Sequence, residues 1–191
     1  MKGNQNTSSG DLDAELARLM PHIVEASRQW ILEQRKLYSA NARSLSDEER
    51  LSLQDYYDRR TLDIVRIATV DQIINPPLYG EMTELEIPIL DISSAAGITF
   101  MDCVVIRRLF KRHFPSWISI LFHELVHVIQ YNFLGPRKLI DLYLRAWIQN
   151  GYQYDSVLFE TQAYRLESRF KQNDPPFSVR AIVEQELKGM V

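Results

Sequence analysis

The chain has 191 residues, enough for one domain with a substantial hydrophobic core. Hydrophobic residues make up 46% of the chain and charged residues 25%, which is an ordinary soluble globular composition. The formal net charge of -3 provides no electrostatic attraction for nucleic acid or an anionic membrane surface, so we expect neither as a partner.

The start of the chain indicates a cellular location. Residues 1–10 are small and polar, so we expect them to be disordered. They lack the basic segment and apolar run of a secretory signal. We expect a cytoplasmic protein, although export by a dedicated system would leave the same sequence. Residues 11–191 are expected to form a single domain, in which residues 11–60 are an N-terminal helical extension. The single cysteine, Cys103, lies in an apolar run and predicts a buried, reduced thiol.

The N-terminal half of the chain contains helical and extended patterns. Apolar residues at helical spacing predict a helix over 11–37, which Pro21 should split or kink because it lacks an amide proton. Ser46 and Glu49 form a capping box that predicts a second helix to about residue 60. The remaining predictions are a strand over 62–67 with continued helix as the alternative, a turn at 76–77, an exposed acidic loop over 81–86 and an extended segment over 87–92.

The C-terminal half is mostly helical in pattern. Two short strands, 97–100 and 103–106, flank a turn in which Asp102 is interpreted as a turn residue. A basic connector, 107–113, precedes a long apolar helix, with Ser116 as its expected N-cap and glycine then proline after its end. The predicted helices of this half are 116–134, 137–150, 157–172 capped by Asp155 or Ser156, and 178–187. The prediction is an α+β fold, mostly helical, with a small mixed or antiparallel sheet beside the long apolar helix.

The long apolar helix contains the pattern His123-Glu124-Leu125-Val126-His127. Residues four apart lie on one face of a helix, so both imidazoles can bind one metal ion while Glu124 reaches a water on that ion. Two neutral imidazoles suit zinc, and a carboxylate that is not a ligand can accept a proton from the water. Histidine and glutamate are costly to bury in so apolar a helix without hydrogen bonds or a metal. The pattern therefore predicts a zinc site.

A hydrolytic zinc ion takes three protein ligands and leaves its fourth position to water. Metzincins supply a third histidine six residues after the motif, where this chain has Phe133, so that class is excluded. The best remaining donor is Glu160, which lies among apolar residues on a later helix, and Glu167 is a second candidate or an outer-shell partner. His22 is interpreted as a surface or capping residue, and His113 is a poor candidate because it lies outside the helical register of the motif.

The segments 123–130 and 159–163 resemble those of the gluzincin-like zinc metallopeptidases, which have a HELxHxxQ helix and a later ExxA helix. The chain is similar in particular to the metallopeptidase family known as the extracellular contractile injection system core domain, over about residues 62–170. The resemblance implies a zincin-like fold, in which the edge strand before the metal helix pairs with extended substrate. It also implies three zinc ligands and one catalytic base: His123, His127, Glu160 and Glu124.

The outer shell of the site is less determined by the resemblance. Gluzincins often carry an acidic residue four positions after the glutamate ligand to orient a histidine, and here that position is Tyr164. Gln130 could replace it, contact substrate or serve as a polar core partner. Hydrolysis also needs a donor to the developing oxyanion, for which Tyr131, Tyr152 and Tyr154 are candidates.

The function expected from these residues is hydrolysis of a peptide or protein substrate by zinc-activated water, with Glu124 as the base. One alternative is a catalytically inactive zinc-binding domain that serves as a binding or structural module. Another is a helical interaction protein in which the motif is fortuitous. The sequence does not indicate the oligomeric state.

Overall fold

The structure, a computed structural model, describes residues 9–84 and 88–190. Its α-helices are α1 (Ser9–Ser39), α2 (Asp47–Leu53), α3 (Arg59–Ile64), α4 (Leu78–Glu84), α5 (Phe114–Leu134), α6 (Pro136–Gln149), α7 (Leu158–Lys171) and α8 (Val179–Leu187). Its strands are β1 (Arg66–Val70), β2 (Gly97–Phe100) and β3 (Cys103–Arg107). Short 3-10 helices cover Arg108–Arg112, Tyr154–Ser156 and Lys188–Met190. Among the described residues, the helices include none that is long and apolar enough to span a bilayer.

The three strands form one small mixed sheet in the order β1-β3-β2. The central strand β3 is parallel to β1, with Cys103 opposite Arg66, and antiparallel to β2, with Ile106 opposite Gly97. The edge strand β2 therefore runs against the direction of the other two strands.

The sheet separates two parts of the hydrophobic core, because successive residues of β3 point to opposite faces. Val104 and Ile106 pack in the cluster that contains the apolar residues of α5, whereas Cys103 and Val105 pack with those of α1. Helix α5 also contacts α2, α6, α7 and α8, so it is covered on almost every side. The expected α+β class, mostly helical with a small mixed sheet, is confirmed, as is the burial of Cys103.

Two predictions between residues 46 and 67 are wrong. The capping box at Ser46 is present, but helix α2 ends at Leu53 instead of continuing to residue 60. Asp58 then caps a separate helix by accepting a hydrogen bond from the Thr61 amide at 3.0 Å. The strand starts only at Arg66, and residues 62–64 are helical, as the alternative prediction had it, because this cap and the burial of Leu62 hold the residues before the strand in a helix.

Tertiary packing also overrides the predicted split at Pro21 and the predicted acidic loop. Pro21 lies inside α1 without splitting it, and its neighbours Met20 and Val24 pack against the sheet. The acidic loop predicted over 81–86 begins as helix α4, whose Met82 packs with Leu16 of α1. Residues 88–92 of the predicted extended segment belong to no helix or strand, and residues 85–87 lie outside the described part of the chain.

The N-terminal helix is part of the core. Helix α1 begins at Ser9, so the last two residues of the segment predicted to be disordered are helical, and residues 1–8 lie outside the described part. Arg35 of α1 binds Asp102 through two hydrogen bonds of 2.5 and 2.8 Å. Asp102 is in the turn between β2 and β3 as predicted, and it also ties α1 to the sheet.

Candidate metal centre

Helix α5 holds the HExxH motif in the middle of its 21 residues. The predicted N-cap Ser116 is wrong, because His113 has the extended backbone of a cap and its Nδ1 accepts from the Ser116 amide at 3.3 Å. Pro115 fits the first turn, where no amide proton is needed. The helix ends as predicted before Gly135, whose φ of 76° takes it out of the helical conformation.

The two histidines of α5 meet a carboxylate from α7. Their Nε2 atoms are 3.2 Å apart, and Glu160 Oε2 is 3.4 Å from that of His123 and 3.5 Å from that of His127. Ligands at about 2.0–2.1 Å from a tetrahedral ion stand about 3.3–3.4 Å from one another. The three atoms therefore have the spacing of a metal-binding group, and we call these residues the metal triad.

Glu160 reaches the histidines because of its place in α7. The helix starts at Leu158 and packs along α5, so Glu160 lies in its first turn and faces the motif. Val157 occupies the N-cap without a side-chain hydrogen bond, so the predicted cap by Asp155 or Ser156 is wrong. Only 4% of the Glu160 surface is exposed, so its carboxylate is removed from bulk water.

Each imidazole uses its other nitrogen for a hydrogen bond outside the metal triad. Nδ1 of His127 is 2.8 Å from Gln130 Oε1, and Nδ1 of His123 is 3.3 Å from Glu167 Oε2. Because both oxygens accept, the Nδ1 atoms carry protons, and in the neutral rings that bind a metal both Nε2 lone pairs face Glu160 Oε2. Glu160 Oε2 is a buried atom with no hydrogen-bond partner among the described residues. These three atoms converge at one point, where a metal cation could satisfy all of them.

The charges around the metal triad favour a cation at its centre. Burial alone would lower the pKa of His123, but hydrogen bonding to Glu160 and Glu167 raises it to about 10. Burial would raise the pKa of Glu160, but the positive charge that His127 and His123 carry when protonated holds it well below its usual range. A metal ion at the centre would displace the imidazole protons, so metal binding and protonation compete.

Glu124 lies buried beside the metal triad, against the edge strand β2. Its Oε2 accepts a hydrogen bond from Thr99 Oγ1 at 2.7 Å. The backbone comes so close that a Cβ at Gly97 would lie 2.9 Å from Glu124 Oε1. Burial raises the pKa of Glu124 more than the charges of the nearby histidines lower it. A carboxylate with a raised pKa is suited to accept and return a proton near neutral pH.

The candidate tyrosines occupy different places. Burial, reinforced by the charge of Glu160, raises the pKa of Tyr131 and of Tyr154, so both keep their hydroxyl protons at neutral pH and can donate them in hydrogen bonds. Tyr152 instead packs edge-on against Trp147, with 5.0 Å between ring centroids. The structure thus places Tyr131 and Tyr154 within the electrostatic reach of Glu160.

The acidic residue that contacts His123 stands at a different sequence position from that in the gluzincin pattern. Tyr164, where those enzymes carry an acid, packs its ring 4.6 Å from that of His123. Glu167, three residues later, provides the carboxylate that contacts His123. Gln130 contacts His127 and is fully buried.

Two residues of the site, Tyr143 and Thr99, were not predicted from the sequence. Tyr143 of α6 donates its hydroxyl to Glu160 Oε1 at 3.1 Å, and Thr99 contacts Glu124. Neither has a spacing relation to the motif, and each looks like an ordinary core position in the sequence. The detectable signal was Gly97, because glycine in a short strand often marks the close approach of another group.

Comparison with family models, with curated proteins and with solved structures finds no match for this chain. The functional argument therefore depends on the geometry of the metal triad and Glu124.

Proposed function

We propose that the chain is a zinc-dependent peptidase, gluzincin-like in its ligands and zincin-like in its fold. The observation that carries the proposal is the metal triad of His123, His127 and Glu160 with Glu124 beside it. Two imidazole nitrogens and one carboxylate form a ligand set used by catalytic zinc sites, which leave one position open.

The fold supports the same proposal. The sheet places its antiparallel edge strand β2 next to α5, and Thr99 of that strand contacts Glu124. An extended peptide that added to this edge would pass the carboxylate of Glu124. We therefore propose extended segments of a peptide or protein as the substrate.

When bound, zinc supplies a Lewis acid that polarises a carbonyl and acidifies water. Glu124 accepts one proton of the attacking water while the water oxygen bonds to the carbonyl carbon of the substrate. The C–N bond then breaks as Glu124 returns this proton to the leaving nitrogen, giving an amine and a carboxylic acid. Tyr154 is our candidate donor to the carbonyl oxygen, because its hydroxyl stays protonated beside Glu160.

One observation favours a second candidate, a zinc-binding module without turnover. His123, Glu124 and Glu160 are only 7%, 5% and 4% exposed, so a substrate carbonyl has little access to them in this conformation. A closed site binds a structural ion equally well.

Zinc content and peptide cleavage distinguish the candidates. Protein purified without chelator or nickel resin should contain about one zinc ion per chain by elemental analysis, as three ligands imply. Glu160→Gln should lose zinc, whereas Glu124→Gln should keep zinc and lose cleavage of a fluorogenic peptide library. Glu184→Gln is the matched control, because that glutamate pairs with Arg180 on α8 and should leave both properties unchanged.

Two results would count against the peptidase. Absence of zinc from the wild-type protein contradicts both candidates. Zinc at one ion per chain without cleavage of any library peptide supports the zinc-binding module.

A further inference from the structure

A chain of hydrogen bonds leads away from the metal triad, starting at Nδ1 of His127. Gln130 Oε1 contacts His127 Nδ1 at 2.8 Å, and Gln130 Nε2 donates to Phe159 O at 3.0 Å and to Gln162 Oε1 at 2.9 Å. Gln162 Nε2 in turn donates to Glu186 Oε2 on α8 at 2.8 Å. The chain therefore joins helices α5, α7 and α8.

The two amides in this chain have little access to water. Gln130 is 0% exposed and Gln162 is 1% exposed. Leaving a buried amide without a partner destabilises the fold by about as much as the loss of a hydrogen bond. Each amide is therefore held in the orientation that satisfies the most groups.

The groups at the two ends of this hydrogen-bond chain determine which atom of each amide donates and which accepts. A carboxylate and a backbone carbonyl can only accept hydrogen bonds. Glu186 therefore requires the NH₂ of Gln162, which turns the Gln162 carbonyl towards Gln130. That carbonyl and Phe159 O both require the NH₂ of Gln130, which leaves only the Gln130 carbonyl oxygen to face His127.

The direction determines which nitrogen of His127 faces the metal triad. A carbonyl oxygen at Nδ1 requires a proton on that nitrogen, so the lone pair of the neutral ring is on Nε2. Nε2 is the atom that lies 3.5 Å from Glu160 Oε2.

The far end of the chain is near the surface. Arg165 Nη2 binds both carboxylate oxygens of Glu186, at 2.6 and 2.7 Å, which holds this carboxylate in place. The side chains of Arg165 and Glu186 are 47% and 37% exposed, so the outer end can be changed without opening the core.

We infer that Gln130, Gln162 and Glu186 are positioning residues: a directional relay through which helix α8 fixes the tautomer of His127 and prepares it to bind metal. The inference depends on the metal site of the proposed function, and it does not depend on peptide hydrolysis.

The test measures zinc affinity by competition with a chromophoric chelator. Gln130→Met removes the acceptor of His127 at similar volume, and zinc affinity should fall by roughly 10- to 100-fold. Gln162→Met should lower it by a smaller factor, because Phe159 O still orients Gln130. Glu186→Leu should have the effect of Gln162→Met, whereas Glu186→Gln keeps an acceptor and should restore most of the affinity.

A second readout separates positioning from support of the fold. In zinc-loaded protein with ¹⁵N-labelled histidine, the Nδ1 proton of His127 should exchange slowly in the wild type and faster in Gln130→Met. Gln172→Met changes a glutamine at the end of α7 that bonds Ser168, and it should leave zinc affinity unchanged. Glu49→Gln changes a buried network elsewhere and should lower stability without altering zinc affinity.

The outcomes separate the two proposals. Failure of the wild type to bind zinc overturns both the metal site and the relay. The relay alone is overturned if the wild type binds zinc, Gln130→Met and Gln162→Met bind it with unchanged affinity, and Gln130→Met leaves Nδ1 exchange unchanged.

Discussion

The close approach of Glu124 to the edge strand gives a sharp prediction for Gly97→Ala. The new Cβ would lie 2.9 Å from Glu124 Oε1 and 3.1 Å from its Cδ and Cγ. Ordinary contact begins near 3.4 Å, so the carboxyl group must move by about 0.5 Å. Overpacking of this kind costs about 1–3 kcal/mol, and the stiffer unfolded chain offsets about 0.4–1 kcal/mol. We therefore expect the free energy of unfolding to fall by up to about 2.5 kcal/mol.

The same displacement should affect catalysis more than metal binding. A misplacement of about 1 Å can cost about 100-fold in rate, so a shift of half that size should lower kcat/KM by roughly tenfold. Zinc content should not change, because none of the metal triad is displaced.

Urea unfolding, zinc analysis and peptide cleavage test the three parts of this prediction. Gly80→Ala is the control, since a Cβ there meets nothing within 4 Å and alanine favours helix α4 by about 0.5–1 kcal/mol. If Gly97→Ala is as stable and as active as Gly80→Ala, Glu124 does not lie against β2 as described.

Three further variants test the site and the core. Tyr143→Phe removes the hydroxyl that donates to Glu160, so zinc affinity should fall by roughly tenfold in chelator competition, and an unchanged affinity would show that this hydroxyl does not support the ligand. Thr99→Val removes a hydrogen bond that lowers the pKa of Glu124, so the acid limb of the pH–rate profile should move to higher pH if this carboxylate is the base. Burial would raise the pKa of Glu49, but hydrogen bonds from an arginine, a backbone amide and a tryptophan lower this pKa in the folded protein. The stability that the Glu49 carboxylate contributes is therefore complete above its ordinary pKa of 4.5 and is lost as pH falls through the lower folded value. Glu49→Gln should therefore lose less stability than the wild type between about pH 5 and pH 3 in urea unfolding; an identical loss would refute this assignment.

Elements that depend on local sequence patterns were predicted well, whereas elements that depend on tertiary packing were not. The strands at 97–100 and 103–106 and helices α5 to α8 were predicted within about two residues, because apolar periodicity and end signals are local. The strand predicted over 62–67 failed because β propensity there competes with the cap at Asp58 and the burial of Leu62. Helix α4 was missed because its packing against α1 outweighs its acidic composition.

The sequence by itself determined the pairing of His123 with His127, because a spacing of four residues places two side chains on one helical face wherever that helix lies. Only the tertiary structure decided what meets them. The packing of α7 against α5 brings Glu160 to the Nε2 atoms and makes Glu167 the partner of His123. These contacts join residues more than thirty positions apart, so their distances depend on how helices pack rather than on any local pattern.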